Sequence, residues 1–205
     1  MPNLVVCLGA IGAGKTTLLN KLQNKHFNEI KEDSGLPVEP LATVGINHFD
    51  IDLTSDFDHS TVSDSSKNNC FSFKFRSSFS TNKCIVEIKE FGGSLAPAWK
   101  SYLQGLLKEH YDKSGVLYIV DVSNASRFAE VGVHLIETVQ IFETLRKTSS
   151  RVLIVFSKVD LLDSTSKTKI LNEARLLLRL DYLSRYVHMS IITISSQKHI
   201  FDTHF

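Results

Sequence analysis

Leu4-Val5-Val6-Cys7-Leu8-Gly9-Ala10-Ile11-Gly12-Ala13-Gly14-Lys15-Thr16 decides the fold: an apolar run opens into an octapeptide that fits G-x-x-x-x-G-K-[ST]. Gly9, Gly12 and Gly14 let the backbone turn its N–H groups inward, which makes a concave anion site at the start of the following helix. Lys15 is expected to reach β- and γ-phosphates, Thr16 to offer its hydroxyl to Mg²⁺, Ala13 and Thr17 to line the cradle, and Ile11 to project toward the γ-phosphate. A glycine-rich turn that binds nothing is the bland alternative. The strand before the loop and the helical pattern of Thr17-Leu18-Leu19-Asn20-Lys21-Leu22 after it weigh against that.

Outward from this loop, 205 residues suffice for one buried core and read as a single domain over 1–205. The formal net charge is +1, so no broad basic face argues for nucleic acid. Cys7, Cys70 and Cys84 are an odd, widely spaced set that suggests reduced thiols and a cytoplasmic setting. No signal peptide or membrane-spanning run is apparent, Pro2 precludes N-myristoylation, and the ending has no prenylatable cysteine. Without a direct lipid anchor, membrane contact is expected only through partners or through an insertion at about 54–82. That insertion is serine-rich, and within it Phe71, Phe73 and Phe75 alternate with polar residues as in a strand with one apolar face. An edge strand is the plain reading; a partner- or membrane-touching tip is the sharper one.

Apolar β-branched runs alternate with helical periodicities, the pattern of an α/β fold in three layers with a mostly parallel six-stranded sheet. Strands are expected at 3–8, 46–53, 84–89, 116–121, 152–156 and 190–194, and helices at 15–25, 126–146 and 166–180. Phe128, Val131, Leu135, Val139 and Phe142 recur at spacings of three and four, a core-facing stripe.

Later stretches narrow the ligand. Ser157-Lys158-Val159-Asp160 follows an apolar strand and resembles the Asn-Lys-x-Asp guanine motif. Asp160 can accept two hydrogen bonds from the N1–H and 2-amino group that guanine presents and adenine does not. Lys158 would lay its aliphatic stem across the base. Thr43 precedes a strand where a switch threonine would meet Mg²⁺ and the γ-phosphate. Glu90-Phe91-Gly92-Gly93 resembles the Asp-x-x-Gly element, with Glu90 holding a metal-bound water and the Gly93 N–H meeting the γ-phosphate. Ser195 and Ser196 look like a degenerate Ser-Ala-Lys element near the base.

Thr43-Val44-Gly45-Ile46-Asn47, Gly92-Gly93 followed by Pro97-Ala98-Trp99-Lys100-Ser101-Tyr102, and Gly115-Val116-Leu117-Tyr118-Ile119-Val120-Asp121 together resemble the ADP-ribosylation factor-like small GTPases. The resemblance implies a P-loop NTPase fold and a switch that binds GTP or GDP with Mg²⁺. It also implies recruitment of effector proteins, an exchange factor, and work in membrane or ciliary trafficking. Fold likeness does not by itself assign the task.

Several residues depart from that family. Ser94 stands where its water-orienting glutamine would be and is too short to replace it, and Ile11 would obstruct an arginine finger, so hydrolysis is expected to be slow or absent. Ser157 replaces asparagine, with the expected loss of the amide that ties the base loop to the phosphate loop, at a cost of about 1 to 3 kcal/mol. Glu90 replaces aspartate, a tolerable lengthening by one methylene. Nine residues follow Ser196, too few for the fold's closing helix, and the first strand begins too early for an amphipathic leading helix. Two other classes remain open: a pseudo-GTPase scaffold that needs no nucleotide, and a nucleoside phosphotransferase whose lid would draw on Arg175, Arg179 and Arg185.

Overall fold

A computed structural model describes residues 3–24, 42–52, 85–110, 114–144, 151–195 and 201–202. The glycine-rich loop lies between β1 (Asn3–Gly9) and α1 (Lys15–Asn24). There follow β2 (Ile46–Asp52), β3 (Ile85–Phe91), α2 (Trp99–His110), β4 (Ser114–Asp121) and α3 (Phe128–Thr144). The remaining elements are β5 (Arg151–Ser157), α4 (Lys167–Leu177), α5 (Leu180–Leu183), β6 (His188–Ile194) and β7 (Phe201–Asp202).

The strands form one sheet in the order β2-β3-β1-β4-β5-β6-β7. The β1–β3, β1–β4, β4–β5 and β5–β6 pairs are parallel, whereas β2–β3 and β6–β7 are antiparallel. The six expected strands are all present; β7, two residues long, is a seventh that no apolar run announced. Among the described residues no helix follows β6. The insertion at 54–82 and its phenylalanine alternation lie outside the described residues.

Central strands buried on both faces explain the near-continuous apolar runs. Val6, Leu8, Val116, Tyr118, Val120, Ile154 and Phe156 face one core with α2 and α3, and Cys7, Leu117, Ile119 and Val155 face the other with Leu19 of α1. The stripe on α3 is buried as its spacing predicted. Gly132 lets α3 cross close to the end of α4, since a Cβ there would stand 2.9 Å from the Leu177 carbonyl oxygen.

Two helical expectations need correction. The segment 166–180 is broken, because Arg179 adopts a left-handed φ of 54° that stops α4 before α5 begins. The twelve-residue helix α2 was not anticipated, although Trp99, Leu103 and Leu107, four apart, are buried on its inner side. Gly105 within it and Pro97 in the 3-10 turn before it (Gly93–Ala98) obscured that period. Each buried leucine contributes roughly 1.5–3 kcal/mol of transfer free energy, enough to override one mid-helix glycine at about 1 kcal/mol.

Candidate functional site

Because β1, β3, β4, β5 and β6 run parallel, Gly9, Glu90, Asp121, Ser157 and Ser195 all come to the C-terminal edge of the sheet, where open α/β folds bind ligands. Gly12 and Gly14 have φ of +74° and +89°, values that L side chains rarely adopt, and so carry the turn into α1. Ala13 N–H donates to the Ala10 carbonyl at 3.2 Å. Lys15, only 5% exposed, donates to the carbonyls of Gly9 (2.8 Å) and Ala10 (2.9 Å). Burial lowers its pKa, and the neighbouring Glu90 carboxylate opposes that shift. An ammonium has three protons, so one is left for a ligand beyond these carbonyls. Thr17 lies in the first turn of α1, and Ile11 is half exposed at the rim.

Behind this loop, residues far apart in sequence converge on Glu90, which is fully buried. Thr16 Oγ1 donates to Glu90 Oε1 at 2.6 Å and lies 3.0 Å from Thr43 Oγ1, which itself reaches Oε1 at 3.3 Å. Asn47 Nδ2 spans Thr43 Oγ1 and Glu90 Oε2, each at 3.4 Å. Asn47, the second residue of β2 and four positions beyond Thr43, is a further member of the site, and that nearness is the signal the sequence offers. The buried carboxyl group is thus hydrogen-bonded by uncharged donors, with the Lys15 ammonium acting on it through space. Among the described residues no cluster of three or more His, Cys, Asp or Glu occurs. Two hydroxyls, with a carboxylate behind them able to hold a metal-bound water, are hard oxygens, a set that suits Mg²⁺ with phosphate oxygens completing it.

The loops around the cradle are fitted backbone to backbone. Gly92 N–H donates to the Gly45 carbonyl at 2.8 Å, and a Cβ on Gly92 would stand 2.4 Å from the Thr43 carbonyl oxygen. A Cβ on Gly93 would stand 2.3 Å from the Ile11 nitrogen, so only glycine allows this approach to the phosphate loop. Ser94 follows, exposed, in the 3-10 turn. Trp99 Nε1 donates to the Gly92 carbonyl at 3.3 Å and packs edge-on against Tyr118 and His134, anchoring this segment to β4 and α3.

At the other end, Ser157 corrects an expectation. Its hydroxyl donates to the Ala13 carbonyl at 2.7 Å, with the Val120 carbonyl 3.2 Å away, so the base loop remains tied to the phosphate loop despite the missing amide. Lys158 takes a left-handed φ of 59° and its ammonium meets Asp121 Oδ2 at 2.7 Å. Asp160 sits half-buried in the 3-10 turn Val159–Leu161, and Ser195 directly follows β6. Ser196 lies outside the described residues. Arg175 and Arg179 lie in and just after α4, and Arg185 follows α5.

The profile of the ADP-ribosylation factor family matches residues 77–200, three fifths of the chain. The chain belongs to the ADP-ribosylation factor family. That match excludes the phosphate loop of this family member, which rests on its own motif and geometry. Human ADP-ribosylation factor-like protein 16 is 28% identical over 158 residues, covering 77% of this chain and 60% of that relative, so the chain spans about three fifths of its length. The Arl6 BBS3 small GTPase of Trypanosoma brucei, solved with the nucleotide analogue GppNp, shares the fold at a TM-score of 0.58 and 17% identity, over 95% of this chain and 87% of that one. The signal recognition particle receptor complex SRb-GTP/SRX from Chaetomium thermophilum does so at 0.59 and 15% identity, over 95% and 91%. No helix among the described residues is long and apolar enough to cross a membrane.

Proposed function

We propose that this chain binds GDP and GTP with Mg²⁺ at the C-terminal edge of its sheet and acts as a nucleotide-controlled switch that recruits effector proteins, with an exchange factor reloading it. The observation that carries this reading is the convergence of Thr16 and Thr43, 27 positions apart, on buried Glu90 beside the glycine-rich loop. Lys15 and the inward N–H groups of the loop would bind the phosphates, and Thr16 and Thr43 would hold the metal, with Glu90 reaching it through a bound water. When bound, Mg²⁺ neutralises phosphate charge. Thr43 and Gly93 would sense the γ-phosphate, while Asp160 would select guanine with Lys158 and the backbone near Ser195 and Ser196 around the base.

Hydrolysis in this reading is slow or absent. Ser94 is too short to orient water at the cradle, and Ile11 occupies the rim through which a partner's arginine would enter. The chain would then act as a long-lived GTP-dependent scaffold in membrane or ciliary trafficking. Cytoplasmic residence, and membrane contact through partners or the 54–82 insertion, belong to the same reading.

Purified protein should release guanine nucleotide on denaturation, identified by chromatography. Lys15→Ala should abolish loading, and Asp160→Ala should cut guanine binding while relaxing discrimination against adenine. Single-turnover GTP cleavage should be far slower than in glutamine-bearing relatives. A chain that emerges empty and ignores added GDP in Mg²⁺ refutes the switch; rapid cleavage refutes only the scaffold.

A further inference from the structure

We propose that Asp121 is a positioning residue for the guanine base, acting through Lys158; this rests on the guanine-nucleotide reading above. Lys158 adopts a left-handed backbone that non-glycine residues rarely take, strain that persists only where surrounding contacts over-determine it. One such contact is on β4: Asp121 Oδ2 accepts from the Lys158 ammonium at 2.7 Å, a charge-assisted bond between side chains 32% and 17% exposed.

The carboxylate is itself held in place. Its other oxygen, Oδ1, accepts from the Ser123 backbone N–H at 2.9 Å and from the Ser123 hydroxyl at 2.6 Å. Beneath the pair, Asp121 lies opposite Ser157 in the β4–β5 ladder, and Val122 N–H donates to the Ser157 carbonyl at 3.2 Å. The ammonium is therefore pinned to the end of one strand while its backbone leaves the end of the next. The four-methylene stem between them has lost most of its freedom and lies across the sheet edge two residues before Asp160. A free lysine surrenders up to about 2 kcal/mol of rotamer entropy on being ordered by a ligand; a stem already pinned surrenders less. A planar base edge-bound to Asp160 then meets a preformed apolar shelf, and pre-organisation of this kind lengthens the ligand's residence.

Asp121→Asn tests this without dismantling the turn, because the amide oxygen can still accept both Ser123 hydrogen bonds. The readout is the dissociation rate of fluorescently labelled GDP in Mg²⁺, measured beside the thermal midpoint of the nucleotide-free chain. Dissociation should quicken by about threefold to tenfold, the range for re-ordering a lysine stem that the ligand must now immobilise, while the midpoint falls by no more than about 4 °C. Lys158→Met keeps an apolar stem but removes the charge; in that background Asp121→Asn should change the rate by less than about 1.5-fold. An equal acceleration in both backgrounds, or a rate unchanged in the single variant, overturns the proposal. Wild-type protein that binds no GDP overturns instead the reading beneath it.

Discussion

Removing one hydroxyl, Ser157→Ala, tests whether the base loop and the phosphate loop are a single mechanical unit. Ser157 is 3% exposed and its hydroxyl spans to the Ala13 carbonyl at 2.7 Å, with Ala13 itself fully buried. A buried neutral hydrogen bond of this kind contributes about 0.5–1.5 kcal/mol, and a carbonyl left without that donor adds a desolvation cost, so a loss of about 1–2 kcal/mol is expected. For a chain of this size each kcal/mol lowers the thermal midpoint by roughly 2–4 °C, which places the variant about 2–8 °C below wild type. Ser184→Ala is the control: its hydroxyl donates to the Asp181 carbonyl at 2.9 Å, the same chemistry but exposed, and should change stability by no more than about 0.5 kcal/mol. The same bond links the two halves of the proposed nucleotide site. Ser157→Ala should therefore also speed GDP dissociation by up to about tenfold, followed with a fluorescent GDP analogue. A variant with wild-type melting and wild-type release would refute the tie, and with it the view that a serine suffices at this position.

Gly93→Ala cannot be accommodated where the chain now runs, since its Cβ would meet the Ile11 nitrogen at 2.3 Å. The segment must retreat from the phosphate loop, so affinity for a non-hydrolysable GTP analogue should fall at least tenfold relative to GDP by competition titration, whereas parallel losses would count against a γ-phosphate role. Trp99 is the sole tryptophan and is joined to Gly92, so its fluorescence should differ between GDP and GTP-analogue forms in wild type, and the difference should vanish in Gly93→Ala. Cys7 is fully buried, and burial raises its thiol pKa well above the usual range. Alkylation at pH 8 followed by peptide mass spectrometry should leave Cys7 unmodified in native protein and label it after denaturation.

The sequence by itself determined the phosphate loop, the six main strands, the α3 core stripe and the class of fold. Each of these is written locally, as a glycine spacing, an apolar run or a helical period, and local backbone preferences suffice to express it. Helix α2 carried the same kind of signal at Trp99, Leu103 and Leu107 but was obscured by Gly105, whose local cost only packing against the sheet could offset. The tertiary structure alone decided how the site is wired. Ser157 answers Ala13 across 144 positions, Glu90 gathers Thr16 and Thr43, and Asp121 holds Lys158. These contacts depend on the strand order that sets β1 between β3 and β4, and β5 beside β4. Hydrogen bonds between side chains act over about 3 Å, so a partner distant along the chain leaves no mark in the residues on either side of it.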